Sequence, residues 1–486
     1  MKSHKHTILF SLLVSISLMC ATPLAGQETT TTETLPEGLQ INSITIEPTV
    51  MEFNTGRDYR QLLVTGQLES GQIADLTRMF SIKQTPQHVQ ISADGIVTPI
   101  SIGQETIALH YGEYSLTLTI NVKSLDMPTS SFVQDVQPIL AKMSCNAGTC
   151  HGSKDGKNGF KLSLRGYDPL YDHRALTDDI GARRFNRAAP DQSLLLLKAV
   201  GAIPHVGGVR TTVDSRYYGI IRGWIIQGGR LDLETPKASS IEIFPKNPII
   251  PRAGMKQQIS VLATFPDGSV RDVTREAFIE SGNIDVIDAD QRGVLTLIRR
   301  GEGPVLVRYD GNYAATTLTV MGDRTGFQWE RPTTQNYIDD FVYDKLEQVK
   351  ILPAEICSDE DFVRRIYIDI TGLPPTVAQV RQFLESEQPS QQRRNDLIDQ
   401  LVGSKEYIEH WTNRWADLLQ VNRKFLGEEG AIALRNWIKH SVATNKPYNQ
   451  FAHEILTANG STIENPPAAY YKIIRDPATL MENTTH

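Results

Sequence analysis

The 486-residue chain contains only four cysteines, too few and too unevenly spread for a disulfide framework. It lacks a basic excess: the net charge is −7, which argues against nucleic acid as a partner. Beyond the N-terminus no apolar run approaches the roughly 20 residues that a membrane-spanning helix needs, so no transmembrane span is expected. No G-x-S-x-G elbow, dinucleotide fingerprint or P-loop occurs. Two near-matches to metal motifs fail at a ligand. His453-Glu454 begins a zinc-protease pattern, but Thr457 stands where the second histidine belongs. Asp288 and Asp290 begin a calcium loop, but Arg292 takes the place of the third ligand.

The N-terminus carries a short targeting pattern. Lys2 and Lys5 precede the apolar stretch Ile8 to Met19, and the small residues Ala21, Ala25 and Gly26 follow. Residues 1–26 therefore read as an export signal. Its removal takes Cys20 with it and leaves Cys145, Cys150 and Cys357. Residues 27–37 are polar and repetitive, as in a flexible lead-in.

The strongest chemical signal is Cys145-Asn-Ala-Gly-Thr-Cys150-His151. Two cysteines and an immediate histidine are what covalent haem attachment requires. Each thiol bonds one vinyl group, and the neighbouring imidazole lies under the iron. The spacer is four residues where two is usual, so Asn146, Ala147 and Gly148 must bulge outward. Before the motif, Phe132, Val133, Val136, Ile139 and Leu140 predict a short amphipathic helix. A Cys145–Cys150 disulfide is the competing reading. It would suit a structural or carbohydrate-binding surface protein. A zinc site would need a second cysteine pair, which is missing.

Methionine is absent between Met143 and Met255, so a sixth iron ligand within this segment has to be a histidine. His205 lies in Pro204-His-Val-Gly-Gly208, whereas His173 sits between Asp172 and Arg174 and reads as a solvated surface residue. A haem with no sixth ligand would be five-coordinate and peroxidase-like.

Strand-like alternation fills residues 38–123 and 238–322, and the two stretches match. Ile46, Gly71, Asp75 and Thr77 pair with Ile243, Gly268, Asp272 and Thr274 at an offset of 197. Gly95, Gly103 and Tyr111 pair with Gly293, Gly301 and Tyr309 at 198. A register held with one slip marks an internal duplication. About seven short strands are expected in each copy, as in a small β-sandwich. Gly71-Gln-Ile-Ala-Asp-Leu-Thr77, Asp267-Gly-Ser-Val-Arg-Asp-Val-Thr274 and Ala93-Asp-Gly-Ile-Val97 resemble the bacterial Ig-like domain, group 2. That resemblance implies spacer or adhesive modules without catalytic residues.

Between the copies, residues 128–234 run from the cysteine motif through a helix at Asp191 to Lys198, with Asp191 or Ser193 to cap it. The Pro204–Gly208 loop follows, then a terminal helix from Tyr217 to Gly228 that contains Arg222-Gly-Trp224-Ile225. This order resembles a class I cytochrome c of the planctomycete type, in which the loop residue matching His205 supplies the sixth ligand.

Residues 334–486 turn helical. Arg365-Ile-Tyr-Ile-Asp-Ile-Thr-Gly-Leu-Pro-Pro375, His410-Trp411 and Arg414-Trp415-Ala-Asp417-Leu resemble a domain of unknown function that accompanies such cytochromes. Trp411, Trp415, Leu418 and Leu419 are expected to share a packed face. In that family a second haem motif follows, so this block is expected to be a truncated domain.

The resemblances together imply a multidomain fold: two all-β Ig-like sandwiches flank an all-α class I cytochrome c-like domain, and a mainly α-helical domain follows. They imply an exported electron carrier, rather than an enzyme with its own substrate, in the periplasm or at the cell surface. It would hold one haem c through Cys145 and Cys150, with His151 and His205 on the iron. Its partners would be a redox protein and a surface polysaccharide or protein.

Overall fold

The computed structural model describes residues 33–68, 71–181, 183–324 and 326–485. Residues 1–26, read above as an export signal, and Cys20 among them lie outside the described residues. The chain divides into two compact units, one ending at Leu352 and the other beginning at Pro353. Among the described residues no helix is long and apolar enough to cross a membrane.

In the first unit, strands run from Ser43–Glu47 to Tyr114–Val122 and again from Ser240–Phe244 to Asn312–Val320. Alternation explains their formation. In Ser43–Glu47 the residues Ile44 and Ile46 point inward while their neighbours face water, the two-residue period of a strand with one buried face. Among the described residues each copy has ten short strands rather than seven, because several segments of two to four residues pair separately. The duplication is complete at the level of topology. The first, fourth and fifth strands of each copy form one sheet. The second, tenth, ninth and sixth form another, and the third, eighth and seventh a third. Phe53, Leu62, Leu118 and Ile120 fill the first core, and Ile259, Val261, Leu295 and Leu318 the second.

The copies also exchange equivalent side chains. Asp75 accepts the backbone N–H of Gln258 at 2.6 Å, and its counterpart Asp272 accepts that of Gln61 at 2.5 Å. Both carboxylates are buried. Each also turns its own loop, accepting the N–H of Thr77 or Thr274 two residues on. Replacing Asp272 with alanine orphans the N–H groups of Gln61 and Thr274. The expected cost in urea denaturation is about 3 kcal/mol. A loss under about 1 kcal/mol would show that the exchanged bond adds little beyond shape.

The segment between the copies is helical. A π-helical turn, Phe132–Val136, runs into α1, Gln137–Lys142. It is followed by α2 (Pro169–Thr177), α3 (Leu194–Ala199) and α4 (Arg216–Ile226). Phe132, Ile139, Leu140, Leu196, Ile221 and Trp224 close one core. Ser193 occupies the N-cap position of α3, but its hydroxyl accepts from Asn186 N instead of capping. Asp191 is spent on Tyr218 and Arg222 of α4.

This segment is fastened to both β copies. Arg57 pairs with Asp135 at 2.9 Å, Arg216 with Glu276 at 3.0 Å, and Lys142 donates to the carbonyls of Ala277 and Gln291.

The second unit is a set of helices with well-marked ends. The helix Asp359–Thr371 starts at Ser358 and stops at Gly372, whose φ of 71° is left-handed. Thr376 and Gln379 then form a capping box for Val377–Leu384. Asp359 holds both Arg393 and Arg394, which keep its carboxyl down at about 2. Trp415 and Leu419 pack with Leu434, Ile438 and Phe451. Leu418 does not share that face: it is exposed, because it falls one residue, about 100°, away from Leu419 around the helix.

Candidate cofactor-binding site

α1 delivers Cys145 through Met143 and Ser144, where a left-handed φ of 61° turns the chain out of the helix. The Cys145–His151 loop then closes on itself. His151 N–H donates to Cys145 O at 3.0 Å, and Cys150 N–H to Ala147 O at 2.9 Å. Asn146 is buried inside the bulge rather than pointing out, and its carbonyl accepts from Arg165 N. Gly152 has to be glycine, since a Cβ there would lie 2.0 Å from Asn146 O.

Both cysteines are free and partly accessible. Burial, set against the nearby Arg210 guanidinium and supplemented by Cys150, pushes the Cys145 thiol up to about 12. A thiol held protonated is a poor partner for disulfide exchange.

Two imidazoles face one another beside this loop. The rings of His151 and His205 are 3° from parallel with centroids 6.3 Å apart. His151 Nδ1 lies 3.0 Å from Phe160 O, and His205 Nδ1 lies 3.1 Å from Gly208 O. A carbonyl only accepts, so each Nδ1 carries the proton and each Nε2 keeps a lone pair. Neither Nε2 has a partner among the described residues. Two neighbouring imidazoles with unpartnered Nε2 atoms are a donor set that would hold a metal or haem iron.

The surroundings of His151 favour its neutral form. Burial lowers the pKa of His151 against the Phe160 hydrogen bond, and the positive groups at His205, Arg184 and Lys198 add to the effect. Arg184 had no signal in the sequence. Its guanidinium stacks 4.4 Å over the Phe160 ring and donates to Ala175 O and Gly159 O. It thereby fixes the carbonyl that orients His151. On the other side, His205 depends on Gly207, where a Cβ would stand 2.8 Å from the ring. Val206 is fully exposed, and Val209 and Val213 are largely so. The loop thus presents apolar side chains to solvent next to the two rings.

His173 is not the solvated residue that its charged neighbours suggest. It is half-buried between Phe132 and Trp224, with centroids 5.2 and 5.9 Å away. Its Nε2 is occupied by Gly229 O at 2.8 Å, and Thr177 Oγ1 lies 3.4 Å from Nδ1. Asp172 beside it is buried too, accepting from Ser163 and Gln137. The site therefore gathers Cys145, Cys150, His151 and His205, and His173 stands apart as a packing residue.

Comparison with known proteins adds one family. Residues 337–482 match the family described as PSCyt2, a protein of unknown function (DUF1549). The match falls within the helical block that the sequence marks at 334–486. No curated protein matches the chain. Solved structures with similarity include surface layer protein SbsC, domains 1-6, at 8% identity and a TM-score of 0.16. That match covers 60% of this chain and 29% of the other. The S-layer protein SbsC, domains 5-6, is 10% identical with a TM-score of 0.23, over 58% and 99% of the two chains.

Proposed function

We propose that residues 128–234 form a class I cytochrome c-like domain of an exported electron carrier, in which Cys145 and Cys150 would hold haem covalently and His151 and His205 would ligate its iron. The observation that carries this reading is the pair of parallel imidazoles 6.3 Å apart, each with its Nδ1 proton committed to a backbone carbonyl. Bound haem would supply a one-electron couple. The chain's own residues orient the two imidazoles and favour the neutral form of His151. The tandem β copies hold this segment from two sides, a role for Ig-like spacers that dock to a surface polysaccharide or protein. The redox partner would approach the apolar, exposed loop at Val206 and Val209.

The test is a pyridine haemochrome assay on chain produced with a periplasmic haem-attachment system. Covalent haem at one per chain is expected, and its absence would sink the reading in favour of a structural or carbohydrate-binding surface protein. His205→Ala distinguishes the ligand. The wild type should be low-spin, and the variant high-spin and quick to bind added imidazole. His173→Ala should leave the spectrum unchanged while costing about 2 kcal/mol of stability through lost aromatic packing. A wild type that is already high-spin would replace electron transfer with the five-coordinate, peroxidase-like alternative.

A further inference from the structure

Arg184 is a buried cation that no close carboxylate balances. Its side chain is 8% exposed, and among the described residues its one carboxylate partner, Asp179, stands 3.9 Å away and is largely exposed. An ion pair with so exposed and distant a partner contributes little. Carbonyl oxygens hold the guanidinium instead. It donates to Ala175 O at 2.7 Å and Asp179 O at 3.3 Å around the end of α2, and to Gly159 O at 2.9 Å. Its centre lies 4.4 Å over the Phe160 ring, within the range of a cation–π contact.

The two sides of this grip differ. On the α2 side Arg184 meets the last carbonyls of a helix, a service that basic side chains often perform. On the other side it holds a loop with few ties of its own. Lys157 and Phe160 exchange their backbone N–H and C=O groups, at 2.9 and 3.0 Å, so the loop closes on itself. Gly159 turns it with a φ of 71°, and Lys157, Asn158 and Gly159 are exposed. Arg184 is the side chain that ties this loop to α2.

One atom of the loop bears on the paired histidines. Phe160 O lies 3.0 Å from His151 Nδ1, and the Phe160 ring packs on the imidazole with centroids 4.5 Å apart. In water an unconstrained neutral imidazole prefers its proton on Nε2. That form has no lone pair at Nε2 and cannot bind a metal there. The Nδ1–H form is selected by an acceptor that is held in place, which fixes both tautomer and ring orientation.

We propose that Arg184 is the positioning residue that sets the His151 tautomer. It clamps Phe160 through its ring and through the carbonyl of Gly159, so that the Nε2 lone pair of His151 is already presented in the haem-free chain. Use of that lone pair by iron rests on the electron-carrier reading above. The tautomer itself does not, and it is measured without haem.

The full exported chain, made without haem and with nitrogen-labelled histidine, is examined by long-range proton–nitrogen correlation at mildly alkaline pH, where imidazole is neutral. His151 should give the Nδ1–H pattern. His173 provides the opposite form as a reference in the same spectrum, because its Nε2 donates to Gly229 O. Arg184→Met should lose the Nδ1–H signal at His151 in favour of Nε2–H, with His173 unchanged as the sign of an intact helical core. Arg184→Lys keeps the charge and should fold even where the methionine variant does not. It lacks the planar fork that holds Ala175 O and Gly159 O together, so it should show a mixture of the two forms. If Arg184 only capped α2, neither variant would move the His151 pattern. Full retention of Nδ1–H at His151 in either folded variant therefore overturns the proposal, and so does a wild-type chain with His151 in the Nε2–H form. A tautomer result as expected, together with a failed haemochrome assay, would keep Arg184 in this role and remove only the electron carrier.

Discussion

Chain in which both Cys145 and Cys150 are replaced by serine should carry no haem through denaturing electrophoresis, whereas each single replacement should retain it with a shifted haemochrome band. The reason is bond counting. On the proposed reading each thiol would add its S–H across one vinyl C=C, forming one C–S and one C–H bond, so no oxidant would be needed and each cysteine would contribute one link. Serine keeps the backbone bonds that shape the loop, from His151 N to Cys145 O and from Cys150 N to Ala147 O. A lost link is therefore not a lost fold. Thiol counting on exported chain made without haem separates the alternative. Three free thiols are expected, those of Cys145, Cys150 and Cys357. A Cys145–Cys150 disulfide would leave one. A double variant that still holds haem after denaturation would show the attachment to be misassigned.

Much of this architecture is legible in the sequence, but unevenly. The 197–198 offset announces the duplication because both copies had to keep the same inward residues and the same turns. Topology follows from it strand for strand. The number of strands does not, since segments as short as Arg60–Gln61 pair only through tertiary contact with Ile96–Pro99. The reciprocal bonds of Asp75 and Asp272 were half visible. Their equivalence is written in the offset, yet nothing local says that each reaches into the other copy. Cys145, Cys150 and His151 stand out because covalent chemistry demands adjacency. His205 stands out by elimination, with no methionine nearby. His173 misleads because its neighbours carry charge, although a helix turns successive residues by about 100° and can bury Asp172 beside it. Arg184 leaves no pattern at all, for its contacts with the Phe160 ring and the carbonyls of Gly159 and Ala175 arise only on folding.

Lys142 should make the first unit more stable at alkaline than at neutral pH. It sits at the last turn of α1, three residues before Cys145, and its amine is buried against the second β copy. Burial brings its pKa down to about 7; Glu276 opposes this, the like charge of Arg275 adds to it, and Asp290 opposes it. In the unfolded chain the same amine titrates at about 10.4. Between these values the unfolded chain binds the extra proton, so stability rises with pH across that window. The contribution is complete above the unfolded value and disappears as pH falls through the folded one. The total is on the order of 4 kcal/mol. Deprotonation does not break the anchor. A neutral amine still has two N–H bonds, enough for Ala277 O at 2.5 Å and Gln291 O at 2.6 Å. Lys142→Met keeps the chain length but has nothing to titrate. Urea denaturation of wild type and variant from pH 7 to pH 10 should therefore give curves that diverge, the wild type gaining on the variant by a few kcal/mol. The tyrosines that titrate at higher pH are common to both and cancel. Parallel curves would mean that Lys142 keeps its proton throughout, and that the helix leading to Cys145 is pinned by a permanently charged lysine.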